Sequence, residues 1–257
     1  MPGGAAYRAL TLDLWFTTCY HTAEDAASWD AARLRVLRTY LARPRGPTLT
    51  EAEIAEAAQV VGSGLRVNGH SSVTSTPATV LDAVARQLNA EVVGAPGEAS
   101  HAMGLAGLME SPPRLNPEAE PLLRGLERQG IPAVLVTNSA RPASAWRDCL
   151  RSRLALPVRD VVSSCDLGVA KPDPAIFRAA ARLLDLPPRS ILHVGDRWEL
   201  DIVGAVAAGF DAALYRGLWS RYPNGMYDSL PAPPSDLGGT RVVDDLRTLL
   251  EPEWWSA

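Results

Sequence analysis

The sequence predicts an α/β fold: a parallel sheet covered on both faces by helices, with an all-helical block inserted after the first strand. Three observations carry this. From Asn116 onward, short apolar runs alternate with helical patterns, the signature of right-handed βαβ units. A lone apolar run ending in an acid, RALTLD at 8–13, precedes them and has the length of a buried strand. Between the two, residues 20–112 hold four helical patterns and no convincing strand.

Taken in order, Thr22 with Glu24 and Asp25 opens the first helix after the strand, and Trp29, Ala32, Val36, Leu37, Tyr40 and Leu41 share one face of it. Pro44, Gly46 and Pro47 close it. Thr50 followed by EAE opens a second, which Gly62 and Gly64 weaken, and Thr76-Pro77 a third with Val80, Leu81, Val84 and Leu88 as its stripe. A fourth covers about 98–110. Asn116-Pro117 then starts a helix that Gly130 ends, and IPAVLV (131–136) reads as a strand buried on both faces. Strand DVVSS (160–164), helix PAIFRAAARLL (174–184), strand SILHV (190–194), helix ELDIVGAVAAG (199–209) and strand DAALY (211–215) continue the alternation. LPAPPSDLGG (230–239) is a surface loop by composition.

Composition narrows the function. With 47% hydrophobic and 21% charged residues, the chain has the make-up of an ordinary globular protein. Its net charge of −4 is spread without a basic stripe, which argues against nucleic acid or an anionic membrane as partner and leaves a small-molecule substrate. Cys19, Cys149 and Cys165 are odd in number and far apart, so they read as reduced thiols. The N-terminus lacks the charged-then-apolar pattern of a signal peptide, and no run is long enough to span a bilayer. The expectation is a cytoplasmic monomer or homodimer.

Ligands of open α/β sheets bind beyond the carboxyl ends of the strands. Here those ends carry Asp13 (LDLWFTT), Thr137-Asn138 (VLVTNSA) and Gly195-Asp196 (HVGDRWELD), with Asp201 one turn later, while Lys171 (LGVAKPDPAIF) precedes a helix begun by Asp173 and Pro174. Each alone is an ordinary turn or cap. In this order, they resemble the haloacid dehalogenase-like superfamily, whose pattern is a nucleophilic Asp, a Ser or Thr, a Lys and an acidic GDxxxxD segment. The resemblance covers about 8–19 and 113–220. It implies a Rossmann-like core formed by 1–19 and 113–257, with 20–112 as the helical cap domain. By the same resemblance Asp13 is the nucleophile, and Asp13, Asp196 and the backbone carbonyl of Trp15 hold Mg²⁺. Thr137 and the backbone N–H of Asn138 bind phosphate, and Lys171 offsets charge on nucleophile and phosphoryl group. Asp201 either supports the metal site or orients Lys171.

One residue departs from the pattern. Phosphatases of the superfamily carry a second Asp two positions after the nucleophile, as proton donor and then base. This chain has Trp15 there, and Phe16 where a Gly is usual. Losing general acid–base help costs ~10²–10⁴ in rate. Three readings follow: a Mg²⁺-dependent phosphatase or phosphotransferase acting on a small phosphorylated metabolite, a 2-haloacid dehalogenase with Arg33 or Arg35 at the halide, and a binding protein that keeps the pocket without turnover. The retained Gly195-Asp196 favours the first over the second. Of the remaining candidates, His193 reads as a core histidine, and His21, His70 and His101 lack ligand spacing, so no zinc is assigned. Trp198 packs its helix or lines the cleft, and Trp219 anchors a loop or rims the pocket. Trp254-Trp255 dock on the core or on another subunit.

Overall fold

A computed structural model of the chain describes residues 7–64, 66–67, 70–71, 76–95, 97–218 and 233–255. Six strands form its sheet: β1 (Ala9–Asp13), β2 (Ala133–Thr137), β3 (Asp160–Ser163), β4 (Ile191–Gly195), β5 (Asp211–Tyr215) and β6 (Arg241–Val243). They are parallel throughout, in the order β6-β5-β4-β1-β2-β3. The chain thus steps outward from β1 on one side, then crosses back and steps outward on the other. The reversal beside β1 opens a crevice at the carboxyl ends of β1 and β4.

Period-two alternation divides the sheet's side chains between two cores. Leu10 and Leu12 of β1, with Leu135 and Leu192, join Leu122, Leu126, Trp146 and Leu246 on one face. Ala9, Val134, Val136 and Ile191 meet Ile176, Phe177, Ala205 and Phe210 on the other. Trp254 and Trp255 dock on the first core, where Tyr7 N–H donates to the Trp254 carbonyl at 2.9 Å and Trp255 Nε1 donates to the Leu249 carbonyl at 2.7 Å.

Between β1 and β2 lie α1 (Ala23–Tyr40), α2 (Glu51–Gly64), α3 (Pro77–Leu88) and α4 (Glu98–Leu105), followed by α5 (Ala119–Arg128), which packs on the sheet. The first four share their own apolar cluster, including Leu37, Ile54, Leu81, Val84 and Met103. Where the chain leaves the sheet and where it returns, Cys19–Tyr20 pairs antiparallel with Arg114–Leu115.

Several expectations are adjusted. α2 runs through Gly62 and ends at Gly64. α4 stops at Leu105, and Gly107 follows at φ +79°, a left-handed conformation that needs no Cβ. The helix expected over 199–209 begins as a π-helix, Trp198–Val203, and becomes α-helical only at Gly204–Ala207. Strand β6 carries no sequence signal: three residues, two of them exposed, after a proline-rich loop. The region 20–112 also contains two-residue pairings, Leu41–Ala42 with Glu91–Val92 and Arg66–Val67 with His70–Ser71, too short to show alternation. Trp219 and the first part of the 230–239 loop lie outside the described residues. Among those described, no helix is long and apolar enough to cross a membrane.

Candidate active site

β1 and β4 deliver Asp13 and Asp196 to neighbouring strand ends, and the wide π-helical turn carries Asp201 inward to full burial. Gly195 makes that approach possible: a Cβ there would stand 2.3 Å from Asp201 Cγ. Gly204 does the same for the following helix, where a Cβ would lie 2.8 Å from the Pro172 carbonyl oxygen. The carboxylates of Asp13, Asp196 and Asp201 consequently lie with ligand atoms within 4.8 Å of one another.

Lys171 reaches into this group. Its Nζ donates to Asp13 Oδ1 at 2.5 Å and to Asp201 Oδ1 at 2.6 Å. Asp201 is also held by the Arg197 backbone N–H, at 2.9 Å to its other oxygen. His193 is a core residue, as its place in the strand predicts, with Nε2 3.4 Å from Asp201 Oδ1 and Nδ1 2.9 Å from the Thr11 hydroxyl. An Nε2–H tautomer fits both contacts, donating to the carboxylate and accepting from the threonine; burial lowers its basicity and keeps it neutral.

Three buried carboxylates share one ammonium, and their ionisation separates accordingly. Burial pushes Asp13 up to about 7, with Lys171 opposing the rise and Asp201 adding to it. Burial also pushes Asp196 well above the carboxylate range, reinforced by Asp13 and Asp201. For Asp201 burial works the same way, but Lys171 and His193 outweigh it and hold it below its ordinary value. Burial lowers Lys171, yet the two acids it binds raise it further, above the ordinary lysine range. Asp201 is therefore the ion-pair partner, and Asp13 sits at the edge of ionisation.

Thr137 and Asn138 lie where the sequence puts them, at the end of β2. Thr137 Oγ1 is fully buried and has no hydrogen-bond partner among the described residues. The Asn138 side chain clamps the lysine segment: its Oδ1 accepts from the Lys171 N–H at 2.7 Å and its Nδ2 donates to the Lys171 carbonyl at 2.9 Å. Nothing in the residue spacing points to this second use of Asn138.

Trp15 and Phe16 form the opposite wall. Phe16 has φ +61°, so the loop keeps a glycine-like conformation with an aromatic residue in it. The Trp15 ring contacts Phe16, His21, Trp29 and Trp146, at centroid distances of 6.5, 5.2, 5.7 and 5.3 Å. These side chains come from the β1 loop, α1 and α6 (Ala143–Ser152), and no sequence spacing relates them. Of the arginines considered on α1, Arg33 pairs with Asp30 at 2.8 Å and Arg35 pairs with Glu110 on the surface. The buried arginine is one the sequence did not single out, Arg141.

The chain matches the family model of the haloacid dehalogenase-like hydrolases over residues 9–209. It belongs to that family. Among curated relatives, it is 38% identical to the glyceraldehyde 3-phosphate phosphatase of Methanopyrus kandleri over 93 residues, 36% of this chain and 40% of that one. It therefore spans less than half of that relative. Among solved structures, a HAD phosphatase from Thermococcus onnurineus superposes with a TM-score of 0.58 at 18% identity, covering 94% of this chain and 95% of that one. A 2-haloacid dehalogenase from Pseudomonas syringae pv. Tomato DC3000 superposes with a TM-score of 0.56 at 22% identity, covering 96% and 97%. A phosphatase and a dehalogenase share this fold, so the fold does not choose the reaction.

Proposed function

We propose that the protein is a Mg²⁺-dependent phosphatase or phosphotransferase acting on a small phosphorylated metabolite. The observation that carries this reading is the buried acidic trio on a single lysine, next to a buried threonine hydroxyl with no partner. Once ionised, three carboxylates outnumber one ammonium, and the donor set is oxygen only, which suits a hard dication. Asp13, Asp196 and the Trp15 backbone carbonyl would hold it. When bound, Mg²⁺ supplies charge neutralisation on the phosphoryl oxygens.

The chain's own groups divide the rest of the work. An Asp13 oxygen attacks phosphorus, the bond to the leaving oxygen breaks, and an aspartyl-phosphate forms. The Lys171 ammonium offsets charge on the nucleophile and the phosphoryl group, and the Thr137 hydroxyl and the Asn138 backbone N–H donate to its oxygens. Asp201 and the Asn138 side chain keep Lys171 aimed. Water then cleaves the acyl phosphate and restores Asp13. The Trp15 indole N–H is far too weak an acid to protonate the leaving oxygen, so leaving groups stable as anions should be preferred. Residues 20–112 would act as the cap over the cleft, with 1–19 and 113–257 as the core, and lids of this kind exclude water and carry specificity.

The test is a panel of aryl, acyl and alkyl phosphates and 2-haloacids, with and without Mg²⁺. Aryl and acyl phosphates should turn over with the metal, and Asp13→Asn should remove that activity by ~10³-fold or more. Alkyl phosphates should be slower by ~10²–10⁴, and Trp15→Asp with Phe16→Gly should recover part of the difference. Metal-independent release of halide would instead establish the dehalogenase reading, which the missing acid at Trp15 favours. No turnover of any class, with Mg²⁺ and phosphate still bound, would establish a binding protein.

A further inference from the structure

Arg141 belongs to none of the machinery above. It lies four residues after Thr137 in the loop leaving β2, and it is only 5% exposed. The fold goes to some length to hold it there. Its backbone N–H donates to Ser139 Oγ at 3.0 Å, and its carbonyl accepts from Ser163 Oγ at 2.7 Å. The side chain reaches the insertion, where one terminal nitrogen donates to the Gly104 carbonyl at 2.7 Å and the guanidinium carbon stands 5.7 Å from the centroid of Trp29. The other terminal nitrogen is buried with no partner, and no carboxylate pairs with the group, among the described residues.

A buried guanidinium in that condition is expensive to keep. Taking an ion out of water costs several kcal/mol, and a neutral carbonyl and an aromatic face return only part of that. Burial pushes its pKa down to about 9 with Arg33 adding to the fall, and Cys149 and Asp30 oppose it only in part, so the surroundings leave the charge under-compensated. The neighbours also do little to fill the missing role. Trp29, which Arg141 stacks on, touches Trp15, so the cation belongs to the aromatic wall two residues from Asp13. Arg33, the nearby cation, is already paired with Asp30.

We propose that Arg141 is a second anion-binding position of the cleft, which recognises a carboxylate carried by the substrate in addition to its phosphoryl group. A planar guanidinium with a spare N–H matches a carboxylate, and an aromatic wall makes such a pair strong by keeping water out. The backbone separation is compatible with one ligand touching both. Four residues separate Thr137 from Arg141, at most ~14 Å of backbone, within the span of one small molecule and two side chains. Binding at Arg141 would also draw the insertion and the core together, because the side chain already bridges from the β2 loop to Gly104.

This inference rests on the phosphate-binding reading of Thr137 and Lys171, and the experiment separates the two. Phosphonoacetate and methylphosphonate, which cannot be hydrolysed at phosphorus and differ by the carboxylate, are titrated calorimetrically into the full chain with Mg²⁺. Wild type should bind phosphonoacetate more tightly by on the order of tenfold to a hundredfold, the range of one charge-assisted hydrogen bond. In Arg141→Met that ratio should collapse towards one. A purely structural role would weaken both ligands equally and leave the ratio in place, and that result, or equal affinities in wild type, would overturn the proposal. Should the Met variant not fold, Arg141→Lys decides: an ammonium lacks the planar fork, so the ratio should fall several-fold but not vanish. Aryl phosphate turnover is followed in parallel. Turnover without a phosphonoacetate preference removes the second site and leaves the phosphatase, whereas a preference without turnover keeps the anion site and removes the reaction.

Discussion

The two walls that meet beyond the end of β1 are built on opposite principles. The sheet side is a closed electrostatic circuit, in which Asp13, Lys171, Asp201 and His193 contact one another in series and each position depends on the next. The other side is aromatic, with Trp15 of the core touching Trp146 of the core and His21 and Trp29 of the insertion, and one cation without an ion-pair partner among the described residues. A circuit of charges fails when one member is neutralised, because the others are left buried and unpaired. An aromatic wall tolerates changes of polarity poorly and changes of shape worse, since its energy lies in contact area. The two walls should therefore break under different kinds of substitution.

The largest effect is expected on the charged side. Lys171→Met removes the only cation bonded to Asp13 and Asp201 among the described residues and leaves these buried carboxylates without an ion-pair partner. Breaking a buried pair in this way costs ~3–5 kcal/mol, readable as a lower urea midpoint at pH 8. The pH dependence has a definite sign. Asp13 is already raised to about 7 and Asp196 is raised too, so both take up protons as pH falls, and the loss should be smaller at pH 5 than at pH 8. The same shifts bear on the metal. Asp13 costs stability as it ionises above its unfolded value, progressively up to about 7, and a bound dication removes that cost. Mg²⁺ should thus raise the melting temperature more at pH 8 than at pH 6. An equal loss at both pH values in Lys171→Met would mean that the circuit is not the unit described.

The same contrast explains what could be read in advance. Asp13, Thr137 and Asp196 were legible as positions because each stands at the end of an apolar run, but they and Lys171, which precedes a helix, read as one site only through their order and its resemblance to the superfamily pattern. The inward turn of Asp201 was only half legible, since nothing in ELDIVG announces a π-helix. Asn138 was legible as a position but not as a clamp, because its partner is the backbone of a residue 33 positions away. The aromatic wall was not legible at all. It is assembled from positions 15, 21, 29 and 146, and only the packing of α1 and α6 brings them together. Arg141 was missed for the same reason: as a sequence feature it is a polar residue after a strand, and its burial depends on Trp29 from another element.

On the aromatic side a single methyl group should be enough. Gly107 has φ +79°, and a Cβ there would stand 2.5 Å from Trp29 Cδ1 and 2.9 Å from Trp29 Cα. The second of these is backbone of α1, so the helix must move as well as the ring. Gly107→Ala combines a left-handed conformation with overpacking, for a loss of ~1–3 kcal/mol by denaturant unfolding. Trp29 holds both the Trp15 ring and Arg141, so the variant should also lower the phosphonoacetate preference. A loss of stability with that preference intact would place Arg141 outside the wall.

The smallest effect is expected where neither wall is touched, at the junction that connects them. Thr22 caps α1 just beyond the first crossing of the chain: its N–H donates to Asp25 Oδ2 at 2.8 Å, and its hydroxyl oxygen accepts from the Asp25 N–H at 3.3 Å. Asp25 Oδ2 also accepts from Arg114 Nε at 3.0 Å, and Arg114 stands in the returning strand. The cap therefore ties the start of the insertion to its end. Burial alone would raise Asp25, but Arg114 and Thr22 outweigh it and hold its carboxyl below the ordinary value. A depressed carboxyl contributes stability that is present above its unfolded pKa of ~3.9 and is lost as pH falls through its folded value. Thr22→Ala should cost ~1 kcal/mol at pH 7, the usual worth of a cap, with Mg²⁺ affinity unchanged. The loss should shrink as pH falls through the folded value of Asp25, which lies below its ordinary one, because protonation there weakens the reciprocal bond from the Thr22 N–H. If Thr22→Ala instead lowered Mg²⁺ affinity, the junction would be coupled to the charged side, and the two walls would not be independent.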